Sequence, residues 1–440
     1  MTLDVWLYGV FAFEILSWVR VAFVPFHEIA RTPFAVNLGI LGALLVPFIA
    51  QRNVRGALIV FSIGCLLIMT GLVMTGAYAA ACLIVFFLSR YLHRWSNRTG
   101  DHTRPLLVGW LVINTMYLPT YFLLPPALRA FTTWGEIVLF WGAAFAVLRS
   151  IHYVHRVCKQ DIDPHAPGAF GAYLHYLVHF PSFWFGPYQR FDQFTSEVAT
   201  CKERLSWRNT GKGLWRITLG SAKMIFVFFV FNYGYLYDFG YFGPFVDKLF
   251  EDASSADPGH LWLASIVFIL RITIFISAIS DGVIGMNLMM GIRVPENSRW
   301  PLFAPDILEF WRRWHIQAGL WLREEIFFPM GGLRKPIFGF ACVFAYSGFW
   351  HFPSASAVLA FPALHVGLIW LTMKWQKFWK EHRRKNDWIH HAGLRWKLHD
   401  SWISGLCGMT FIFFVNIFSG IMVHDHFYSN TRIIPRMFGW

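Results

Sequence analysis

Apolar runs of bilayer length recur along this chain, and no other feature narrows its fold as much. The hydrocarbon core of a membrane takes about 20 consecutive, mostly apolar residues as helix. Runs of that kind occupy residues 4–24, 34–50, 56–74, 76–93, 105–125, 132–149, 213–237, 259–280, 355–373 and 403–423. Two shorter ones, 169–186 and 336–350, are interrupted by Gly, Pro and His. The expectation is an all-α polytopic integral membrane protein of about 10–13 membrane helices, some not crossing fully, with interfacial or re-entrant helices beside them. Composition agrees: 56% of residues are hydrophobic and 14% charged, against roughly 25% charged in a soluble domain. The first run has neither a basic leader nor a small-residue cleavage site and reads as a retained span.

The net charge of +13 would raise nucleic acid as a partner for a soluble protein. Here the Lys and Arg sit in short segments between apolar runs, which is membrane topology and predicts no nucleic-acid partner. Basic stretches at 52–55, 90–104, 149–159, 202–212 and 374–397 are expected on the cytoplasmic side. That count makes 56–93 one hairpin and 105–149 a second, and puts 238–257 outside. Six cysteines are dispersed without a CxxC pair, so neither a disulfide framework nor a zinc site is implied. His175 and His179, four residues apart, lack the Glu of an HExxH motif. With His152, His155, His390 and His391 they read as interfacial residues, and no metal is expected.

Charge returns where the pattern turns amphipathic. From Pro305 the chain reads "PDILEFWRRWHIQAGLWLREEIFFPMGG". Asp306 followed by Glu309 fits a capping box. A helix from there gathers Ile307, Trp311, Trp314, Ala318 and Trp321 on one face, with Glu309 within reach of Arg312 and Arg313. An interfacial helix with Arg towards headgroups would look the same. The run from Ile337 carries no charge and closes on "SGFWH", ending in Trp350 and His351. Ionisable groups at membrane depth tend to be functional, although a buried His bonded to a carbonyl is the plainer alternative.

Together, "DGVIGMNLMMGIRVPEN", the block from Asp306 and "SGFWH" resemble, in order and spacing, the membrane-bound O-acyltransferase (MBOAT) superfamily. The similarity is to the bacterial branch that holds alginate O-acetylases and the teichoic-acid D-alanyl transfer protein. "HFPSFWFGPYQRFDQF" and "GLWRITLGSAK" match in kind, so the resemblance spans about 170–352. It divides the chain into N-terminal membrane helices (1–168), a catalytic core (169–352) and C-terminal membrane helices with a basic cytoplasmic loop (353–440).

The resemblance implies an MBOAT-like bundle that moves an acyl group to a hydroxyl, with His351 and His315 as its catalytic histidines. Trp311, Arg312, Arg313, Trp314, Arg323 and Trp350 are the implied substrate-binding candidates. No bound cofactor is implied; the donor would be an acyl thioester of coenzyme A or a phosphopantetheine carrier protein. The acceptor would be an envelope or extracellular polymer, or alternatively a lipid. Accessory envelope proteins and a cytoplasmic (inner) membrane location follow from the same likeness. Where the branch reads "FDFSGYSD" this chain has "IFISAISD", keeping Ser277, Ser280 and Asp281. The rival class is a transporter whose buried His relays protons, and the scarcity of Asp and Glu inside the spans speaks against it.

Overall fold

The computed structural model describes residues 37–46, 53–128, 134–183, 186–231, 257–351, 356–385, 402–423 and 430–439, which contain helices and no strand. The first span (4–24), most of the 238–257 segment, residues 386–397 and His390/His391 lie outside the described residues. Among the described residues, four helical segments are long and apolar enough to cross a membrane: Thr75–Thr99, Pro258–Met289, Ser356–Phe378 and Gly405–Met422. The chain is an all-α integral membrane protein and packs as two compact units, Met1–Ile225 with Ala278–Pro295, and Phe226–Ser277 with Glu296–Trp440.

The first unit opens with α1 (Asn37–Val46) and α2 (Val54–Thr99). α2 corrects the hairpin expected at 56–93, because its 46 residues form one uninterrupted helix. The stretch between the two apolar runs, "TGLVMTGAYA", holds no Pro, and isolated Gly costs a helix only about 1 kcal/mol. Arg55 and Arg98 therefore sit at opposite ends of one rod of about 69 Å, and no hairpin turn brings them to the same face. The second hairpin is built as expected from α3 (Thr103–Leu128) and α4 (Trp134–Cys158). Gly109 lets α3 approach both partners: a Cβ there would lie 2.7 Å from Val154 and 3.0 Å from Leu92.

The supposed basic loop at 149–159 is a further correction, since α4 runs through it to Cys158. Arg149, His152 and His155 are buried on that helix. Arg149 donates to the carbonyls of Tyr176 and Ser182, where α5 (Ala169–Val178) ends and the single helical turn Phe180–Phe183 follows. A cation at a helix C-terminus satisfies carbonyls the helix leaves open. His175 and His179 are buried rather than interfacial. Their rings are 3.2 Å apart at Nδ1 of His179 and Nε2 of His175, and His179 Nε2 meets Asn287 Oδ1 at 2.8 Å.

The motif "GLWRITLGSAK" belongs to α7 (Trp207–Phe231), which follows α6 (Phe191–Ala199), and its spacing has a physical reading. Gly213 and Gly220, seven apart, face α8 (Pro258–Met289) so closely that a Cβ on either would stand 2.6 Å from the Gly285 or Ala278 carbonyl oxygen. Arg216 and Lys223, also seven apart, close on the buried Asp281 at 2.7 and 2.6 Å. Small residues allow the approach and the charges lock it. Asp281→Ala is expected to cost about 2 kcal/mol. That is less than the roughly 3–5 kcal/mol for breaking a fully buried pair, because the two cations are only partly buried. Thermal unfolding of the detergent-purified variant is the check, and an unchanged midpoint would show that the clamp adds nothing.

The second unit contains α9 (Ile307–Arg313), α10 (Ile316–Leu322), α11 (Pro336–His351), α12 (Phe361–Lys385), α13 (Trp402–Val423) and α14 (Asn430–Met437). One core joins Ala304, Ile307, Phe310, Phe344, Phe361, Ile369, Ile412 and Val415, so α9, α11, α12 and α13 share it. Gly408 of α13 meets Pro305 where a Cβ would overlap its carbonyl oxygen, and this holds the start of α9 against a membrane helix.

Candidate active site

Asp306 caps α9 by accepting from the Glu309 N–H at 2.8 Å. Only half of the expected box forms, because the Glu309 carboxylate turns outward to Arg313 Nε (2.8 Å) and Arg312 Nη1 (3.2 Å). The Arg313 hydrogen bond, foremost, holds that carboxyl below its usual range. Arg313 also donates to the Phe303 carbonyl at 3.2 Å. These two arginines are thus engaged in the fold. Arg323 differs: it is exposed, as Arg312 is, but its guanidinium has no ion pair among the described residues. It opens a π-helical turn, Arg323–Phe327, at the end of α10.

The continuous helix expected over this block is broken. α9 stops at Arg313, and His315 takes φ 44°, ψ 49° before α10 begins. The reason lies upstream, in residues 296–300. Arg299 N–H donates to the Arg313 carbonyl (2.9 Å), Asn297 accepts from Ile316 N–H (2.8 Å), and Gln317 Nε2 reaches the Glu296 carbonyl at 3.2 Å. A neighbouring strand of backbone takes the bonds a continuous helix would have made for itself. Left-handed geometry costs an L-residue roughly 1–2 kcal/mol, and His is among the residues that tolerate it best. Such outliers gather at functional sites.

The break divides the predicted face: Trp311 and Trp314 join one aromatic core and Trp321 packs separately. Trp311 packs on Phe344 (5.1 Å) and Phe361 (6.4 Å), Trp314 stacks on Phe310 (6.1 Å), and the fully buried Trp321 stacks on Tyr346 (5.7 Å). His351 ends α11 beside Trp350, with ring centroids 5.0 Å apart. Gly348, three residues earlier, touches the next π-turn, Ser356–Ala360, where a Cβ would overlap the Ala357 carbonyl oxygen. Phe352 and Pro353 lie outside the described residues.

His315 and His351 lie in the same unit, each crowded by protein and each keeping some accessible surface, and the charge of one is felt at the other: His351 disfavours a proton on His315. Burial first, and His351 second, push the His315 imidazole down to about 3. Two imidazoles in one unit, at least one neutral at physiological pH, offer both a base and a donor, since a neutral imidazole carries one acceptor and one N–H.

The model of the membrane-bound O-acyltransferase family matches residues 163–415, enclosing both histidines and extending the likeness past 352. The chain belongs to the MBOAT family. It is 29% identical over 224 residues to the probable alginate O-acetylase AlgI of Azotobacter vinelandii, covering 49% of this chain and 41% of that protein. It is 28% identical over 243 residues to the peptidoglycan O-acetyltransferase of Helicobacter pylori, covering 49% of this chain and 44% of that protein. The teichoic acid D-alanyltransferase of Bacillus subtilis is 22% identical over 310 residues, covering 66% and 71%. The matched region spans less than half the length of the alginate relatives.

Within this MBOAT chain one residue of the site went unforeseen. His365 is fully buried on α12 against Trp311, Phe344 and Phe361. It is the single titratable side chain in the apolar run 355–373, so the rule that singles out His351 would have found it.

Proposed function

We propose that this chain is a membrane O-acyltransferase that carries an acyl group from a thioester donor to a hydroxyl of an envelope or extracellular polymer, in the cytoplasmic membrane. The observation that carries the reading is that the MBOAT match encloses His315, held in a left-handed break, and His351, at the end of α11. The relatives named above act on alginate, peptidoglycan and teichoic acid and transfer acetyl or D-alanyl groups, which supports a polymer acceptor over a lipid.

In this reading His351 takes the proton of the acceptor hydroxyl as its oxygen attacks the thioester carbonyl. The neutral His315 donates its N–H to the carbonyl oxygen as negative charge develops there. Collapse expels the thiolate, which takes the proton back from the His351 imidazolium. Atoms balance without a covalent enzyme intermediate, and no metal or bound cofactor is invoked.

Arg323 is the candidate for a phosphate-bearing donor, coenzyme A or a phosphopantetheine carrier, because it alone of the three arginines is not committed to Glu309. Arg323→Ala should raise the apparent dissociation constant of the donor about 10- to 100-fold, as loss of a hydrogen bond to a charged group does. Arg323→Lys should recover part of that, keeping charge but not the fork. Unchanged donor affinity in an equally abundant Ala variant would leave Arg323 with a structural role. The function itself is tested by mass spectrometry of envelope polymers from cells with and without the protein. A missing acyl ester would name group and acceptor together; identical polymers would refute the assignment.

A further inference from the structure

His365 has no part in the reaction just derived, yet it is bonded at both ring nitrogens. The Trp311 indole Nε1–H donates to Nδ1 at 3.3 Å, and Nε2 lies 2.8 Å from Ser419 Oγ. Indole nitrogen is a donor only, so Nδ1 holds the lone pair and the proton sits on Nε2. That proton goes to Ser419 Oγ, whose own hydroxyl donates to the Val415 carbonyl at 2.7 Å. Every polar hydrogen in the series Trp311, His365, Ser419, Val415 has one acceptor, and all run in one direction. The ring is also clamped, stacked on Phe344 at 5.1 Å and edge-on to Phe361 at 4.6 Å.

A buried imidazole is a costly way to fill space, because its two polar atoms must both be satisfied. Here the hydrogen bonds tie three elements: α9 through Trp311, α12 through His365 and α13 through Ser419. Trp311 stands one helical turn before His315, on the turn that ends at the left-handed break. We propose that His365 is a positioning residue: by fixing Trp311 it sets the last turn of α9 and thereby aims the His315 imidazole at the reacting carbonyl. The inference rests on the reading of His315 as part of the acyl-transfer site.

Two amides separate this role from packing. Asn in place of His365 puts its carbonyl oxygen near the Nδ1 position and can still accept from Trp311. Gln reaches the Nε2 position instead and abandons Trp311. In cells expressing the full chain, H365Q and W311F should each lower the rate of polymer acyl-ester formation roughly 10- to 100-fold, the scale of a small misplacement of a reacting group. The H365Q/W311F double variant should be no worse than either single change, and H365N should recover most of the loss.

A well-expressed H365Q with normal acylation, an H365N as poor as H365Q, or losses that multiply would each overturn the proposal. If H365Q fails to accumulate, S419A, which removes only the far acceptor, should show a smaller loss in the same direction; normal acylation by S419A would then overturn it. A readout free of the assay uses purified, histidine-labelled protein. The ring signals of His315, assigned by their absence in H315N, should shift in H365Q and return in H365N. If those signals stay put, His365 does not position His315, whether or not the polymers prove to be acylated. Shifted signals without any acyl ester would refute the proposed function and leave the relay standing.

Discussion

His351→Ala should remove nearly all acyl transfer, a loss of about 10² to 10⁴ in rate, the usual contribution of a general base. Membrane insertion and donor binding should be kept. The expectation follows from position: His351 closes a helix that carries no Asp, Glu, Lys, Arg or other His, and it keeps accessible surface at that end. A hydroxyl attacks a thioester slowly unless its proton is taken as the bond forms, and imidazole is the side chain suited to that near neutral pH. His351→Gln separates chemistry from packing. An amide can preserve a hydrogen bond but cannot accept the proton, so Gln should be as inactive as Ala while restoring abundance. Near-normal polymer acylation by a well-expressed Gln variant would remove His351 from the mechanism.

His315→Asn should also be severe, with a loss of about 10²-fold in rate, in the range reported for removing one oxyanion donor. Asn tolerates the left-handed backbone as His does, so the loss would not come from strain. His315→Ala adds that strain and should lower abundance as well. The same residue makes a pH prediction. Its folded value of about 3 lies below the ordinary imidazole value of 6.5, so between these limits the unfolded chain binds the extra proton. The contribution is fully present above pH 6.5 and is lost as pH falls towards 3. The unfolding midpoint of the detergent-purified protein should drop across that window, and His315→Asn should make the drop shallower. An identical pH slope in the variant would mean that His315 is not held neutral. Activity near neutral pH should show no inflection from His315, because it is already uncharged there.

Much of this site was legible before any coordinates. The Asp306 cap, the Glu309 pairs to Arg312 and Arg313 and the packing of Trp311 and Trp314 onto one core are local or nearly so. Residues three and four apart on a helix meet whatever surrounds them. The apolar runs declared a membrane protein for an equally local reason, the cost of polar groups in lipid. Where local signals conflicted, reading failed. The pattern through His315 is as good a helix as its neighbours, and only the backbone of residues 297–299, bonding into it, breaks it. Conversely, nothing in "TGLVMTGAYA" forbids a helix, and α2 runs on where counting charges wanted a turn.

What the sequence determined by itself, then, is the class of solvent, the helical content and the residue types that can do chemistry. Each rests on spacing along one segment. The tertiary structure alone decided which of those residues meet. It put His315 and His351 in one unit, committed two arginines to Glu309 and left Arg323 without an ion pair among the described residues, and closed Asp281 between Arg216 and Lys223. It also joined Trp311 and Ser419 through His365, 54 positions from each. Such pairings depend on how helices distant in sequence pack, and a side chain's periodicity says which face it occupies but not what that face will touch.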